Sequence, residues 1–162
     1  MFSKREKLLK RTPKNGIDRK QFINLLVEEF LHTKSFDAKR QVLANLVNFA
    51  YDPLNYEFLR ESCAIDLFLN QLAKPTDPAL THFACSGIVN LCLDPVNADH
   101  IIKYDGFNLL VSQLKSDNPK TVLEAIVSLI YLSDRVPKET AQEPELLKLL
   151  QNYKGNSSSD NR

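Results

Sequence analysis

Apolar residues recur three and four positions apart in three stretches of the chain, the spacing of one face of an α-helix. The first stretch covers about residues 37–51, and the others follow at regular intervals. We therefore predict three long helices, each with one buried face. The predicted core positions are Val42, Leu43, Leu46, Phe49 and Ala50, then Ala84, Cys85, Ile88, Leu91 and Cys92, then Ala125, Ile126, Leu129 and Leu132.

The intervals between these stretches are those of an internal repeat. Residues 46–53 and 88–95 align at a period of 42, with Val, Asn, Asp and Pro identical in both. A third copy begins at Asn118-Pro119, which is 41 residues after Asp77-Pro78. A period of 40–47 residues in a helical sequence is typical of armadillo or HEAT solenoids.

Helix starts repeat with the same period. Asp77 and Asn118 are predicted N-caps, each followed by proline at the first helical position. Asp52-Pro53 and Asp94-Pro95 open the next, shorter helices in the same way. Each repeat thus begins with a long helix and continues with shorter ones.

Both ends of the array need a capping helix, because a terminal unit cannot bury its outer face alone. Asp18 and Gln21 form an acidic variant of the capping box. They open a helix whose Phe22, Leu25, Leu26 and Phe30 are expected to cover the first repeat. Residues 144–150 start a last short helix.

The predicted fold is all-α: a short right-handed armadillo-like α-solenoid of about three repeats with N- and C-terminal capping helices. The repeat domain is expected at 17–152, with repeats at about 35–76, 77–117 and 118–152. A basic disordered tail is expected at 1–16 and a disordered polar tail at 153–162.

Composition and charge exclude some classes of function and indicate a cellular compartment. Only four glycines argue against a glycine-rich phosphate loop. Residues 1–20 carry a net charge of +6, which leaves −5 for the rest of the chain. Three cysteines without framework spacing fit a reducing compartment. We find no secretory signal and no stretch long enough to span a bilayer, and expect an intracellular protein.

Catalytic and metal-binding motifs are absent from the sequence. It has no Gly-x-Ser-x-Gly, phosphate loop or His-Glu-x-x-His motif. Cys85 and Cys92 are seven residues apart, wider than zinc ligands are usually paired, and are predicted to be buried structural cysteines. We expect no enzyme activity, no cofactor and no metal.

The segments 45–50 (Asn-Leu-Val-Asn-Phe-Ala) and 87–92 (Gly-Ile-Val-Asn-Leu-Cys) resemble armadillo repeats. The resemblance implies that the long helices line a concave groove, where Asn48 and Asn90 bind the backbone of an extended partner peptide. Members that bind basic import signals carry tryptophan four residues earlier, where this chain has Ala44 and Ser86. Import-signal recognition is therefore not expected.

Residues 41–46 and 48–53, followed by Asn55-Tyr56-Glu57, resemble the armadillo repeat-containing protein 7 family more specifically. The resemblance implies a nuclear scaffold of the minor spliceosome that pairs with an RNA-recognition-motif protein during splicing of rare introns. RNA contact would be mostly indirect, through that partner. A body of net charge −5 agrees with this, because RNA affinity comes largely from neutralising phosphates. Neither a membrane nor a small-molecule ligand is implied.

The candidate groove residues are Asn48, Asn90, Tyr131, Ala44, Ser86 and Phe83. The asparagines are either groove contacts or exposed side chains that cap local backbone. Tyr131 is either an interface anchor or packed beneath the last helix. Val47, Val89 and Ile130 occupy equivalent positions beside Phe83, Tyr51 and Leu93. These apolar side chains form either a partner surface or packing between repeats.

The basic residues near the N-terminus, Lys4, Arg5, Lys7, Lys10 and Arg11, are candidates for a localisation signal or phosphate contacts, or solubilise the chain. Two alternative functions follow. One is direct RNA binding through this basic tail. The other is a cytoplasmic adaptor of membrane or signalling proteins, a role that armadillo folds also take.

Overall fold

Side-chain caps start the helices where the sequence predicts. The computed structural model describes residues 17–156, and Asp18 there forms both hydrogen bonds of the capping box with Gln21. The Asp77 carboxylate accepts from the backbone N–H groups of Ala79 and Leu80 at 3.0 and 3.1 Å. Asn118 accepts from the N–H of Lys120. The predicted starts of both long helices at Pro78 and Pro119 are confirmed.

Ten α-helices and two short 3-10 turns follow in order within the described residues, which contain no β-strand. The α-helices are α1 (Arg19–His32), α2 (Phe36–Ala50), α3 (Tyr56–Glu61), α4 (Ala64–Ala73), α5 (Pro78–Leu91), α6 (Pro95–Lys103), α7 (Gly106–Gln113), α8 (Pro119–Leu132), α9 (Lys138–Ala141) and α10 (Pro144–Asn156). The 3-10 turns are Pro53–Asn55 and Ser133–Arg135.

The long helices α2, α5 and α8 stack in sequence order, α2 on α5 and α5 on α8. The shorter helix α4 packs behind α5, and α7 packs behind α8. Each unit is thus one long helix followed by shorter ones, and α1 covers α2 at the front of the stack. The predicted all-α solenoid of about three repeats is confirmed.

The predicted core stripes lie on the inner faces of these helices. All five positions of the second stripe are buried, including Cys85 and Cys92. Phe49 in the first stripe and Ile126 in the third are half-buried at its edge. The stripe positions therefore form one continuous core.

The joints between short helices repeat as well. Cys63 precedes α4 and Asp105 precedes α7, and both adopt a left-handed conformation, with φ of 58° and 62°. These positions are 42 residues apart, the period of the sequence. Neither is glycine, although aspartate is one of the residues that tolerate this conformation.

The front helix α1 is rotated relative to the prediction. Its buried residues are Ile23, Leu26, Val27 and Phe30, whereas Phe22 and Leu25 are exposed, so two of the four predicted core positions are wrong. Phe22 lies at the edge of the interface, with its ring centroid 5.8 Å from that of Phe49.

The last helix is longer than predicted. It continues to Asn156, so the predicted start of the polar tail at residue 153 is too early. Tyr153 packs against the core, and its hydroxyl donates to the Leu114 carbonyl. This contact holds the end of α10 against the second unit. No helix within residues 17–156 combines the length and the apolar composition that a membrane span needs.

Candidate functional site

Three predicted groove residues occupy equivalent positions on the stacked long helices. Asn48 is exposed on α2, Asn90 is half-buried on α5, and Tyr131 is exposed on α8. The middle side chain is the least accessible because α5 is flanked by both other helices. The stack thus carries these three side chains across three successive units.

The backbone at Asn90 is fixed by a hydrogen bond from the preceding unit. The hydroxyl of Tyr56, buried on α3, donates to the Asn90 carbonyl at 2.8 Å. Burial raises the pKa of this tyrosine, so the hydroxyl stays protonated and remains a donor. The bond holds the last turn of α5 in place and sets where the Asn90 side chain begins.

The two asparagine amides have unused hydrogen-bonding capacity. Asn90 Nδ2 donates a long bond of 3.5 Å to the Val47 carbonyl, and its Oδ1 accepts no hydrogen bond from any described residue. The Asn48 side chain makes no hydrogen bond within residues 17–156. A primary amide has two donor hydrogens and two acceptor lone pairs, so both can bind a peptide backbone.

The other groove candidates differ from one another. Ala44 is half-buried, and Phe83 is half-buried and packs against the core. Ser86 is already used within the protein, because its hydroxyl donates to Glu124 Oε1 at 2.6 Å. Ser86 therefore ties α5 to α8. The predicted basic residues Lys4, Arg5, Lys7, Lys10 and Arg11 lie outside the described part of the chain.

Glu124 is the centre of a polar cluster that the sequence did not reveal. Its Oε2 lies 3.0 Å from Nδ1 of His82, and its other oxygen accepts from Ser86. Burial raises the pKa of Glu124, against the opposing effect of the Ser86 hydrogen bond and of His82. The cluster thus places a half-buried carboxylate where α5 and α8 meet.

This cluster does not have the geometry of a nucleophilic triad. A catalytic serine needs its hydroxyl on the histidine that removes its proton. Here Ser86 is bonded to the carboxylate and to the His82 backbone carbonyl instead. Its arrangement is that of a structural contact between two helices. The described residues contain no group of three metal-ligating side chains.

Both long-helix cysteines are held as neutral thiols. Burial raises the pKa of Cys85 to about 12 and that of Cys92 to about 11. Thiolate is the form that binds metals and reacts as a nucleophile. The predicted structural role of these two residues agrees with their complete burial.

A second set of unpredicted contacts ties neighbouring units together behind the groove. Asn55 and Asn97, which are 42 residues apart, are both fully buried. Arg19 donates to Asn55 Oδ1 at 2.8 Å, and Arg60 donates to Asn97 Oδ1 at 2.7 Å. Arg19 lies on the capping helix α1, and Arg60 lies on the preceding unit. The repeated asparagine was visible in the sequence, but its arginine partner was not.

Comparison with known proteins settles the family. The chain is 43% identical to armadillo repeat-containing protein 7 of Mus musculus over 133 aligned residues. The aligned segment covers 82% of this chain and 65% of that protein. The chain belongs to the armadillo-repeat family. The resemblance inferred from the repeat motifs is confirmed, and the chain spans just under two thirds of the length of this relative. No protein-family model matches the chain.

Solved structures share the armadillo fold at low sequence identity. An engineered protein superposes with a TM-score of 0.68 at 19% identity, over 79% of this chain and 32% of that one. A designed armadillo repeat protein in complex with the peptide (KR)4 superposes with a TM-score of 0.65 at 16% identity, over 78% of this chain and 52% of that one. These similarities concern the fold of the three armadillo units.

Proposed function

We propose that this chain is a non-catalytic protein-binding scaffold, and that it acts in the nucleus as part of the minor spliceosome. It pairs there with an RNA-recognition-motif protein and supports the splicing of rare introns. The general scaffold function rests on the armadillo fold. The splicing function rests on the homology to armadillo repeat-containing protein 7.

One observation carries the site of binding. Asn48 and Asn90 present amide groups with unused hydrogen-bonding capacity at equivalent positions of two stacked helices, and Tyr131 continues the row. Amides at repeat spacing bind a peptide backbone without depending on its side chains. The groove formed by α2, α5 and α8 is therefore proposed to hold an extended segment of the partner.

The surroundings of the amides suggest the chemistry of that segment. Tyr51 and Leu93, at equivalent positions near the ends of α2 and α5, are 60% and 57% exposed. Ala44 and Ser86 offer no aromatic face to a cationic side chain. We expect a partner segment with apolar anchors, unlike the (KR)4 peptide of the designed relative.

RNA contact is proposed to be indirect. Residues 21–162 carry a net charge of −5, which disfavours phosphate binding by the solenoid itself. Direct contact through residues 1–16 would instead give binding that weakens steeply with salt and is lost when those residues are deleted. Salt titration of the full chain and of that deletion distinguishes the two modes.

The first experiment is affinity purification of the tagged protein from nuclear extract, with and without RNase. We expect an RNA-recognition-motif protein that survives RNase, together with minor-spliceosome components. Recovery of cytoplasmic or membrane proteins alone would contradict the splicing function and the nuclear location. Loss of every partner with RNase would contradict a protein-mediated scaffold.

The second experiment tests the groove with the partner recovered in the first. Replacing Asn48 or Asn90 by alanine is expected to weaken binding by more than about 1 kcal/mol each, about fivefold in affinity. Asn70→Ala is the matched control, because Asn70 is an exposed asparagine on α4 and makes no side-chain hydrogen bond with a described residue. Unchanged affinity of both groove variants, with the fold retained, would contradict this site.

A further inference from the structure

The first two long helices use one set of positions to contact the next unit. On α2, Arg40 binds Asp77 at the start of α5, and the Val47 carbonyl accepts from Asn90. On α5, the equivalent of Arg40 is His82, which lies 3.0 Å from Glu124 on α8. These positions therefore face the following long helix in each unit.

On α8 the same positions are apolar and exposed. Leu123 is the equivalent of His82 and is 62% exposed, and Ile130 is the equivalent of Val89 and is 64% exposed. Val89 on α5 is half-buried. Large apolar side chains concentrated on one helix face indicate an interaction surface. Within residues 17–156, no further long helix packs against α8 on this side.

The exposed side of α8 and of the 3-10 turn that follows it is here named the open seam and has the spacing of a helix-pairing surface. Val127 is half-buried within it, and Asp134 lies in the 3-10 turn. Lys120, Val127 and Asp134 are seven residues apart, and so are Leu123 and Ile130. Two interleaved series of residues seven positions apart form the a and d positions of a heptad, through which helices pair in coiled coils. The seam therefore fits another helix lying along α8.

We propose that the open seam pairs with the open seam of a second copy of this chain, with the two α8 helices antiparallel. With the two-fold axis between Ile126 and Val127, this arrangement places Leu123 of each copy against Ile130 of the other. Each copy uses the same patch, which is the isologous contact of a two-fold dimer. The interface closes on itself and does not propagate into a fibre.

The charges at the two ends of the seam favour a second copy of this chain as the partner, and they favour the antiparallel orientation. Lys120 and Asp134 lie at opposite ends of the seam, both exposed, and neither forms an ion pair with another described residue. Antiparallel pairing brings Lys120 of one copy beside Asp134 of the other, and it does so twice. Parallel pairing would place like charges together and cost affinity.

The dimer is weak and leaves the proposed groove usable. The seam offers three apolar side chains per copy, far less than the roughly 800 Å² per partner of a stable interface. Its central residues are also different from Asn48, Asn90 and Tyr131. Dimerisation is therefore independent of the proposed function, and either can fail without the other.

Sedimentation equilibrium of the full chain, from about 5 to about 500 μM, tests the proposal. We expect the mass to rise with concentration from 18.5 kDa towards twice that value. Leu123→Glu is expected to weaken association more than tenfold. Leu31→Glu on α1, the matched control with an exposed fraction of 66%, is expected to leave it unchanged.

A charge exchange tests the orientation. Lys120→Glu alone is expected to weaken the dimer, and the double variant Lys120→Glu/Asp134→Lys is expected to restore it. Circular dichroism of each variant verifies the fold. A monomer at every concentration, equal effects of the Leu123 and Leu31 variants, or failure of the double variant to restore association would each overturn the proposal.

Discussion

Gly87 on α5 touches the ring of Phe68 on α4 so closely that a Cβ at position 87 would lie 2.6 Å from two ring carbons. Both residues are buried, and Phe68 is among the largest fully buried side chains. In the following unit the equivalent pair is Leu110 with Ser128, both also buried. There the short helix carries the smaller side chain, Leu110 in place of Phe68. The long helix carries the larger one, Ser128 in place of Gly87.

We predict that Gly87→Ala destabilises the protein by about 1–3 kcal/mol, because overpacking outweighs the better helix propensity of alanine. Urea denaturation measures the change. Phe68→Leu combined with Gly87→Ala is expected to cost less than the sum of the single changes, since it imitates the pair of Leu110 and Ser128. Strict additivity of the two substitutions would contradict direct contact as the cause.

The left-handed turn at Cys63 gives a prediction of the opposite sign. Cys63→Gly is expected to stabilise the protein by about 0.5–1 kcal/mol, because glycine adopts a φ of 58° without the Cβ conflict. Cys63→Ala is the control, since it removes the thiol and keeps the Cβ. Equal stabilisation by alanine would assign the gain to loss of the thiol.

Glu124 is expected to make stability depend on pH. Burial raises the pKa of this carboxyl above its ordinary value of 4.5, so the folded state favours the protonated form. The contribution of Glu124 to the free energy of unfolding is therefore largest below pH 4.5. It is lost as the pH rises through the pKa of Glu124 in the folded state.

The variant Glu124→Gln is neutral at every pH and can still accept from Ser86. We expect it to be as stable as the wild type or more stable at pH 7–8, by up to about 1 kcal/mol. Urea denaturation between about pH 4 and 8 measures both proteins. Parallel pH profiles for the two would show that another group titrates.

Asp77 both caps α5 and binds the preceding unit. Arg40 donates to it through Nη2 at 2.5 Å and through Nε at 3.2 Å, and this hydrogen bonding lowers the pKa of Asp77. Because the pKa is lowered, the stabilisation is present above the ordinary value of 3.8 and is lost as the pH falls through the folded pKa.

We predict that Asp77→Ala costs about 1–2 kcal/mol at pH 7, mostly through the lost cap. Asp77→Asn is expected to cost less, because its amide oxygen still accepts from the first turn of α5. Arg40 is substantially exposed, so the ion pair adds little. Thermal unfolding of the three proteins gives the order, and an asparagine variant as unstable as the alanine variant would assign the effect to Arg40.

Local signals in the sequence were sufficient for the fold. The period of 42 and the repeated caps at Asp77 and Asn118 located the long helices, because an N-cap acts on the backbone of its own first turn. The rotation of α1 could not be predicted from local signals in the sequence. Phe22 and Ile23 are both apolar, and only the surface of α2 decides which of them is buried.

The candidate site was predicted in part for the same reason. The positions of Asn48, Asn90 and Tyr131 followed from the repeat, and the structure places them at one register of the stack. The bond between Ser86 and Glu124 joins residues 38 positions apart, and no local pattern marks it. The open seam was visible only in part: Ile130 was singled out in the sequence as a possible partner contact, but Leu123 was not. The residues equivalent to both are half-buried in the other units.

The sequence by itself determined the helical class, the number of units and the helix starts, because these depend on periodicity and on contacts within one turn. The tertiary structure alone decided how α1 is rotated, how far α10 extends, and which polar residues join one unit to the next. Those outcomes depend on how neighbouring surfaces fit and on the loss of water between them. Both are properties of two segments brought together, and neither segment encodes them alone.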